Sequence, residues 1–176
     1  MVTANEFSHV VKISEVGNHS RNLRLSADEA ARHALMARFD LAALYNLEAE
    51  ISLKHEADAV IATGRFTASL AQFCIATHDP VPAKLDEAIH IQFIVEPTSN
   101  GEVELELAPE DCDTMFHDGQ TIDLGEAVAQ SMCLALNPYP RSPEAEKILK
   151  AAGVKSEEDV APVGALAGLK DLLAKK

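Results

Sequence analysis

The stretch Leu47-Glu-Ala-Glu-Ile-Ser-Leu-Lys-His-Glu-Ala-Asp-Ala-Val-Ile-Ala-Thr-Gly-Arg-Phe-Thr-Ala-Ser-Leu70 carries the clearest folding instruction in the chain. Leu47, Ala49, Ile51 and Leu53 alternate with Glu48, Glu50, Ser52 and Lys54, which is the period of a strand with one apolar and one wet face. Val60, Ala62, Phe66, Ala68 and Leu70 repeat the pattern opposite Thr63, Arg65, Thr67 and Ser69. Only His55–Asp58 separates the two runs, so the spacing predicts an antiparallel hairpin.

Working outward, Ile89, Ile91, Phe93 and Val95 predict another strand. Val103, Leu105 and Leu107, alternating with Glu102, Glu104 and Glu106, predict one more. Asp79-Pro80-Val81-Pro82 is expected to break the ladder between the strand ending at Leu70 and that of Ile89–Val95, and residues 108–122 to be an irregular acidic loop. Toward the N-terminus, Phe7–Ser14 and Arg21–Leu25 read as short strands. Ser26-Ala-Asp-Glu29 reads as a capping box opening a helix over Ala27–Arg38.

The other strong signal is Asp123-Leu-Gly-Glu-Ala-Val-Ala-Gln-Ser-Met-Cys-Leu-Ala-Leu-Asn-Pro-Tyr-Pro140. Asp123 can cap the free N–H groups of a first turn, and Glu126 can reach back to the Asp123 N–H. Leu124, Val128, Met132 and Leu136, joined by Ala127, Leu134 and Ala135, mark an apolar helical face. Pro138 ends the helix at Asn137. Ser142 as N-cap, Pro143 as N1 and Gly153 past the end predict a third helix to about Ala152. Together these readings predict an α+β fold: a curved antiparallel sheet or partial barrel of five or six strands with two or three helices, the helix at 123–137 covering the sheet. Residues 1–153 form one domain. Residues 154–176 are expected to form a polar linker (Lys155–Ala161) and a short amphipathic helix or docking segment (Val163–Leu173).

The net charge of −13, from 28 acids against 15 Lys plus Arg, weighs against nucleic acid as the main partner, because phosphate binding draws on clustered Lys and Arg. Direct RNA contact would need Arg21, Arg24, Arg32, Arg38 and Arg65 to gather on one face. A basic protein is easier to accommodate. No DNA or membrane partner is expected, since no apolar run approaches the roughly 20 residues of a span. The absence of a signal-peptide pattern and the three sparse cysteines suit a reducing cytoplasm.

Candidate chemistry is thin. Cys112 and His117 lie in an acidic run, but one Cys and one His fall short of a zinc ligand set, and no metal or cofactor is expected. His78-Asp79 and His55-Glu56 have the make-up of general-base pairs, but adjacent residues on an extended chain point to opposite sides, and both pairs also sit at expected turns, so no catalytic role is expected. Cys74 continues an apolar strand face and is expected to be buried; Cys133 is expected to pack within its helix. Glu102, Glu104, Glu106, Glu110 and Asp111 read as a solvated acidic face or a docking surface for a basic partner.

Three blocks in order resemble the YceD family, the large ribosomal RNA subunit accumulation proteins of bacteria and chloroplasts. Gly64–Val81 is similar to a strand leading to the family's Cys-x-x-Cys segment, with Cys74 at the first cysteine and Pro80 and Val81 at a following pair. Ile122–Glu126 through Leu134–Pro138 is similar to its helix motif, with Asp123, Leu124, Glu126, Leu134, Leu136 and Pro138 at matching places. Pro162-Val-Gly-Ala-Leu-Ala-Gly-Leu-Lys170 is similar to its C-terminal motif, through Pro162, Leu166, Leu169 and Lys170. Thr77 stands where the family has its second cysteine, so the resemblance carries no paired-thiolate metal or redox role here. It implies a role in making the large ribosomal subunit or accumulating 23S rRNA; the net charge of −13 then leads to the expectation of a non-enzymatic factor that contacts a basic ribosomal protein or a pre-50S particle. The alternatives are a direct RNA-binding module and a metal-dependent enzyme acting on RNA.

Overall fold

The computed structural model describes residues 6–96 and 113–154. The fold is α+β, and among the described residues it has a five-stranded sheet, a two-stranded sheet and three α-helices. The elements in order are β1 (Val10–Lys12), β2 (Arg21–Ser26), α1 (Glu29–Arg38), β3 (Leu41–Glu56), β4 (Ala59–Phe73), β5 (Pro80–Val95), β6 (Asp113–His117), β7 (Thr121–Asp123), α2 (Leu124–Ala135) and α3 (Ala145–Ala151). The large sheet runs β2-β3-β4-β5-β6 and is open; β1 and β7 pair separately.

The hairpin is where the alternation places it: β3 and β4 are antiparallel, with Leu53 opposite Ala62 and Ala49 opposite Phe66. Both strands are longer than expected. Leu41, Leu44 and Leu47 are all buried although they are three apart, a spacing that hides a strand. Register shifts between Leu41 and Ala43 and between Leu44 and Asn46 explain it, because each extra residue turns the next leucine back to the core. At Gly64 the two backbones come so close that a Cβ would lie 2.0 Å from the Glu50 carbonyl oxygen, which leaves room for glycine alone.

The ladder does not break at Asp79–Pro82. Pro80 and Pro82 open β5, opposite Phe73 and Ala71 of β4. On its other side β5 pairs only through Ile91–Val95, so both prolines lie where no described strand asks for a donor. β6 runs parallel to β5, which makes the sheet mixed rather than antiparallel. The acidic stretch expected to be irregular therefore contains two strands, β6 and β7. The expected strand at Val103–Leu107, the acidic residues Glu102, Glu104, Glu106, Glu110 and Asp111, and Cys112 lie outside the described residues. So do residues 155–176, with Pro162, Leu166, Leu169 and Lys170.

Near the N-terminus the first strand shrinks to Val10–Lys12 and passes into a single 3-10 turn at Ile13–Glu15. α1 starts two residues later than the capping box suggests. Asp28 is the cap and accepts from the Ala31 N–H (2.8 Å), while Ser26 remains in β2. α3 starts late too: Ser142 turns the chain through its carbonyl, which accepts from Ala145 N–H, and the helix begins at Ala145. Its end is as the sequence indicates. Gly153 takes a φ of +84°, and Gly153 and Val154 donate to the Lys150 and Leu149 carbonyls.

One core joins these elements. Phe66, Leu70, Phe93, Leu35, Leu47 and Leu53 are fully buried with Leu124, Val128 and Met132 of α2. α1 contacts β3, and α2 contacts β1, β4 and β5.

Candidate functional site

The two ends of α2 are built differently. At its start, β7 passes directly into the helix at Asp123. One Asp123 carboxylate oxygen accepts from the N–H groups of Gly125 (3.0 Å), Glu126 (3.2 Å) and His9 (2.8 Å), and the other from the Ser8 hydroxyl (2.7 Å). Leu124 N–H donates to the His9 carbonyl (3.0 Å). The segment Phe7–His9 lies so close over this turn that a Cβ at Gly125 would meet the Phe7 carbonyl oxygen at 2.4 Å. Glu126 does not simply close a capping box. Its carboxylate receives both Arg38 guanidinium N–H groups (2.7 and 2.8 Å) and the Gln130 amide (2.8 Å). The Arg38 bonds hold Glu126 below the usual glutamate range against the opposing pull of partial burial. Every polar group named at this end has a structural partner.

The other end meets the turn after β4. Cys74 N–H donates to the Asp79 carbonyl and His78 N–H to the Cys74 carbonyl, both at 2.8 Å, closing a tight loop in which His78 has a φ of +62°. The His78 ring stacks on Phe73, 4.2 Å between centroids. The chain leaving α2 is stapled to this loop. Ile75 N–H donates to the Pro140 carbonyl (3.0 Å), the Gln72 amide to the Asn137 carbonyl (2.8 Å), and Ser142 N–H to Cys74 Sγ (3.2 Å); the Thr77 and Ser142 hydroxyls are 3.1 Å apart. Cys74 is buried, as its place on the strand face suggests. Burial pushes its thiol up, but the hydrogen bonds from Thr77, Ser142 and Ala76 outweigh that and bring it down to about 6.

Between the loop and the helix end lies a groove of about 430 Å³ lined by Phe73, Ile75, Leu134, Leu136, Pro138 and Pro140, together with Cys133 and the polar Asp40, Gln72 and Asn137. Leu134 is 80% exposed and Ile75 54%; Tyr139, in sequence between Pro138 and Pro140, is 70% exposed. Leu134 therefore does not belong to the buried stripe, and Cys133 is exposed rather than packed. Apolar side chains gathered at one surface and left to water are what a docking surface requires.

Two larger clefts fit a ligand less well. One of about 630 Å³ between Glu6–His9 and α1 is predominantly polar; the other, about 540 Å³ beside Gly64, is bordered by Arg24, which is already paired with Glu48 (3.3 Å).

Of the sequence-nominated residues, the structure gathers Leu134, Leu136 and Pro138 at the groove, directly against the loop of Cys74. Pro80 and Val81 follow that loop as the start of β5. Asp123, Leu124 and Glu126 stand at the far end of α2 and serve the fold. Phe73, Ile75 and Pro140 were missed. Only Ile75, an apolar residue placed in a turn rather than in a strand, left a trace in the sequence.

The five arginines that an RNA face would need are all engaged. Arg21 pairs with Glu15 (3.3 Å), Arg24 with Glu48, Arg38 with Glu126 and Glu6, and Arg65 with Asp86, while Arg32 donates to the Ala27 carbonyl (2.7 Å). His117 is buried, with Nδ1 accepting from Gly119 N–H (2.9 Å). Among the described residues no three His, Cys, Asp or Glu side chains are grouped to hold a metal ion, and no helix is long and apolar enough to cross a membrane. No protein-family model matches this chain, and neither the curated proteins nor the solved structures contain a match to it.

Proposed function

We propose that this protein is a non-enzymatic cytoplasmic factor in large ribosomal subunit biogenesis, similar to the YceD family, which holds a basic ribosomal protein and so favours accumulation of 23S rRNA. The observation that carries the reading is the meeting of two separate blocks of resemblance: the Cys74 loop and the Leu134–Pro138 end of α2 form one exposed apolar groove. An apolar groove on a chain of net charge −13 suits a basic partner with an apolar anchor, since charge speeds the encounter and apolar burial holds the complex. Engagement of Arg21, Arg24, Arg32, Arg38 and Arg65 within the fold favours a protein partner over RNA gripped directly.

The test is a sucrose-gradient profile of cells depleted of the protein, with precursor 23S rRNA measured in each fraction. A deficit of 50S particles with immature or degraded 23S rRNA is expected; a normal profile overturns the role. A pulldown from extract separates the modes. Recovery of a basic ribosomal protein supports the groove reading, and recovery of rRNA alone from protein-stripped extract overturns it.

A further inference from the structure

The chain contains a segment with the chemistry of the proposed partner. Pro162–Lys176 carries three lysines against one aspartate, while the other 161 residues carry 27 acids against 12 Lys plus Arg. Within it Val163, Leu166, Leu169 and Leu173 recur at three and four residues, the spacing of a single apolar helical face that a groove can accept. We infer that Pro162–Lys176 is an intramolecular occupant of the groove between the Cys74 loop and the end of α2, and that an external partner must displace it. The inference rests on the groove being a docking surface and not on what the external partner is.

Reach allows it. Ser142 is fixed at the rim by its bond to Cys74 Sγ. From there the chain makes one turn to Ala145, and Val154 is tied back to the Leu149 carbonyl at the end of α3. Val154 is thus within about 20 Å of the rim, given the rise of a helix and the width of a turn. Residues 155–162 add a reach of up to about 27 Å, so Pro162 can return to it. Chemistry favours it as well. The groove is largely apolar with Asp40 in its lining, which matches a segment of leucines that carries Lys170, Lys175 and Lys176 against Asp171. Tethering raises the local concentration of the segment to the millimolar range, so even a weak contact is well populated.

Cys133 reports on the groove because it is exposed in its lining. The experiment is maleimide labelling of the full chain, with modification of Cys133 followed by mass spectrometry of its peptide. In wild type the rate should be low. In Leu166→Asp/Leu169→Asp it should rise about tenfold if the segment is docked about nine-tenths of the time. A synthetic peptide of residues 162–176 added to that variant should slow labelling again, which shows that the variant remains folded and its groove intact. Rates within twofold of each other for wild type and variant overturn the inference. So does protection that rises with protein concentration, since the occupant is then a second copy. Labelling reads the groove alone, so its failure is distinct from a normal gradient profile in depleted cells.

Discussion

The first and last turns of α2 are less than three turns apart, yet they obey different rules. At Asp123 the carboxylate, the backbone donors, Gly125 and the Glu126–Arg38 pair are all used by the fold. At Leu134 the side chain is left in water in the same groove as Ile75. A residue can stand in a motif for either reason. Substitutions at the first end should report on stability and those at the second on binding, and this separation can be broken or sharpened by measurement.

The largest stability effect is expected inside the core. Met132→Ala removes a fully buried side chain and should cost about 2–5 kcal/mol in urea unfolding. Gly125→Ala should follow at about 1–3 kcal/mol, because its Cβ would press on the backbone of Phe7 and His9, which has no flexible end to give way. Asp123→Ala, losing the cap and the bonds from Ser8 and His9, should cost about 1–2 kcal/mol. Leu134→Glu should change stability by less than about 0.5 kcal/mol while abolishing capture of the partner in the pulldown. A large loss of stability in Leu134→Glu would erase the distinction between the two ends.

The subtlest effect concerns pH. The Cys74 thiol is brought down to about 6 in the folded chain, against an ordinary value of about 8.5 when unfolded. A depressed folded value adds stability that is fully present above the unfolded value and is lost as pH falls through about 6. Urea midpoints should therefore rise between about pH 6 and pH 8.5 in wild type and rise less in Cys74→Ala. Equal slopes in the two proteins would show that Sγ does not titrate in this window.

How far the sequence could be read follows from how local each signal is. The β3–β4 hairpin and the α2 cap depend on residues a few positions apart, and both were legible. The start of β3 was hidden because two bulges convert a spacing of two into three at Leu41, Leu44 and Leu47. Pro80 and Pro82 looked like breakers because their tolerance depends on which edge of β5 is free, a fact of sheet order rather than of sequence. β6 and β7 were lost among acidic residues because short strands carry little periodicity. At the groove the leucines were visible, but their exposure was not. Whether a helical apolar residue faces core or water depends on what the chain does 60 residues earlier, at Cys74 and Ile75.

The pairing of β1 with β7 sets an order of events during synthesis. His9 finds its Asp123 partner 114 residues later in the chain. At about 5–20 residues per second, the N-terminal segment leaves the ribosome roughly 6–23 s before its complement exists. The β2–β3–β4 meander, made of neighbours in sequence, can form within that interval, whereas the cap over α2 can close only at the end. Contacts of such long range also slow folding. The start of the chain thus acts as the last fastener, and a nascent chain halted before residue 121 keeps Phe7 and Val11 without the surface that buries them.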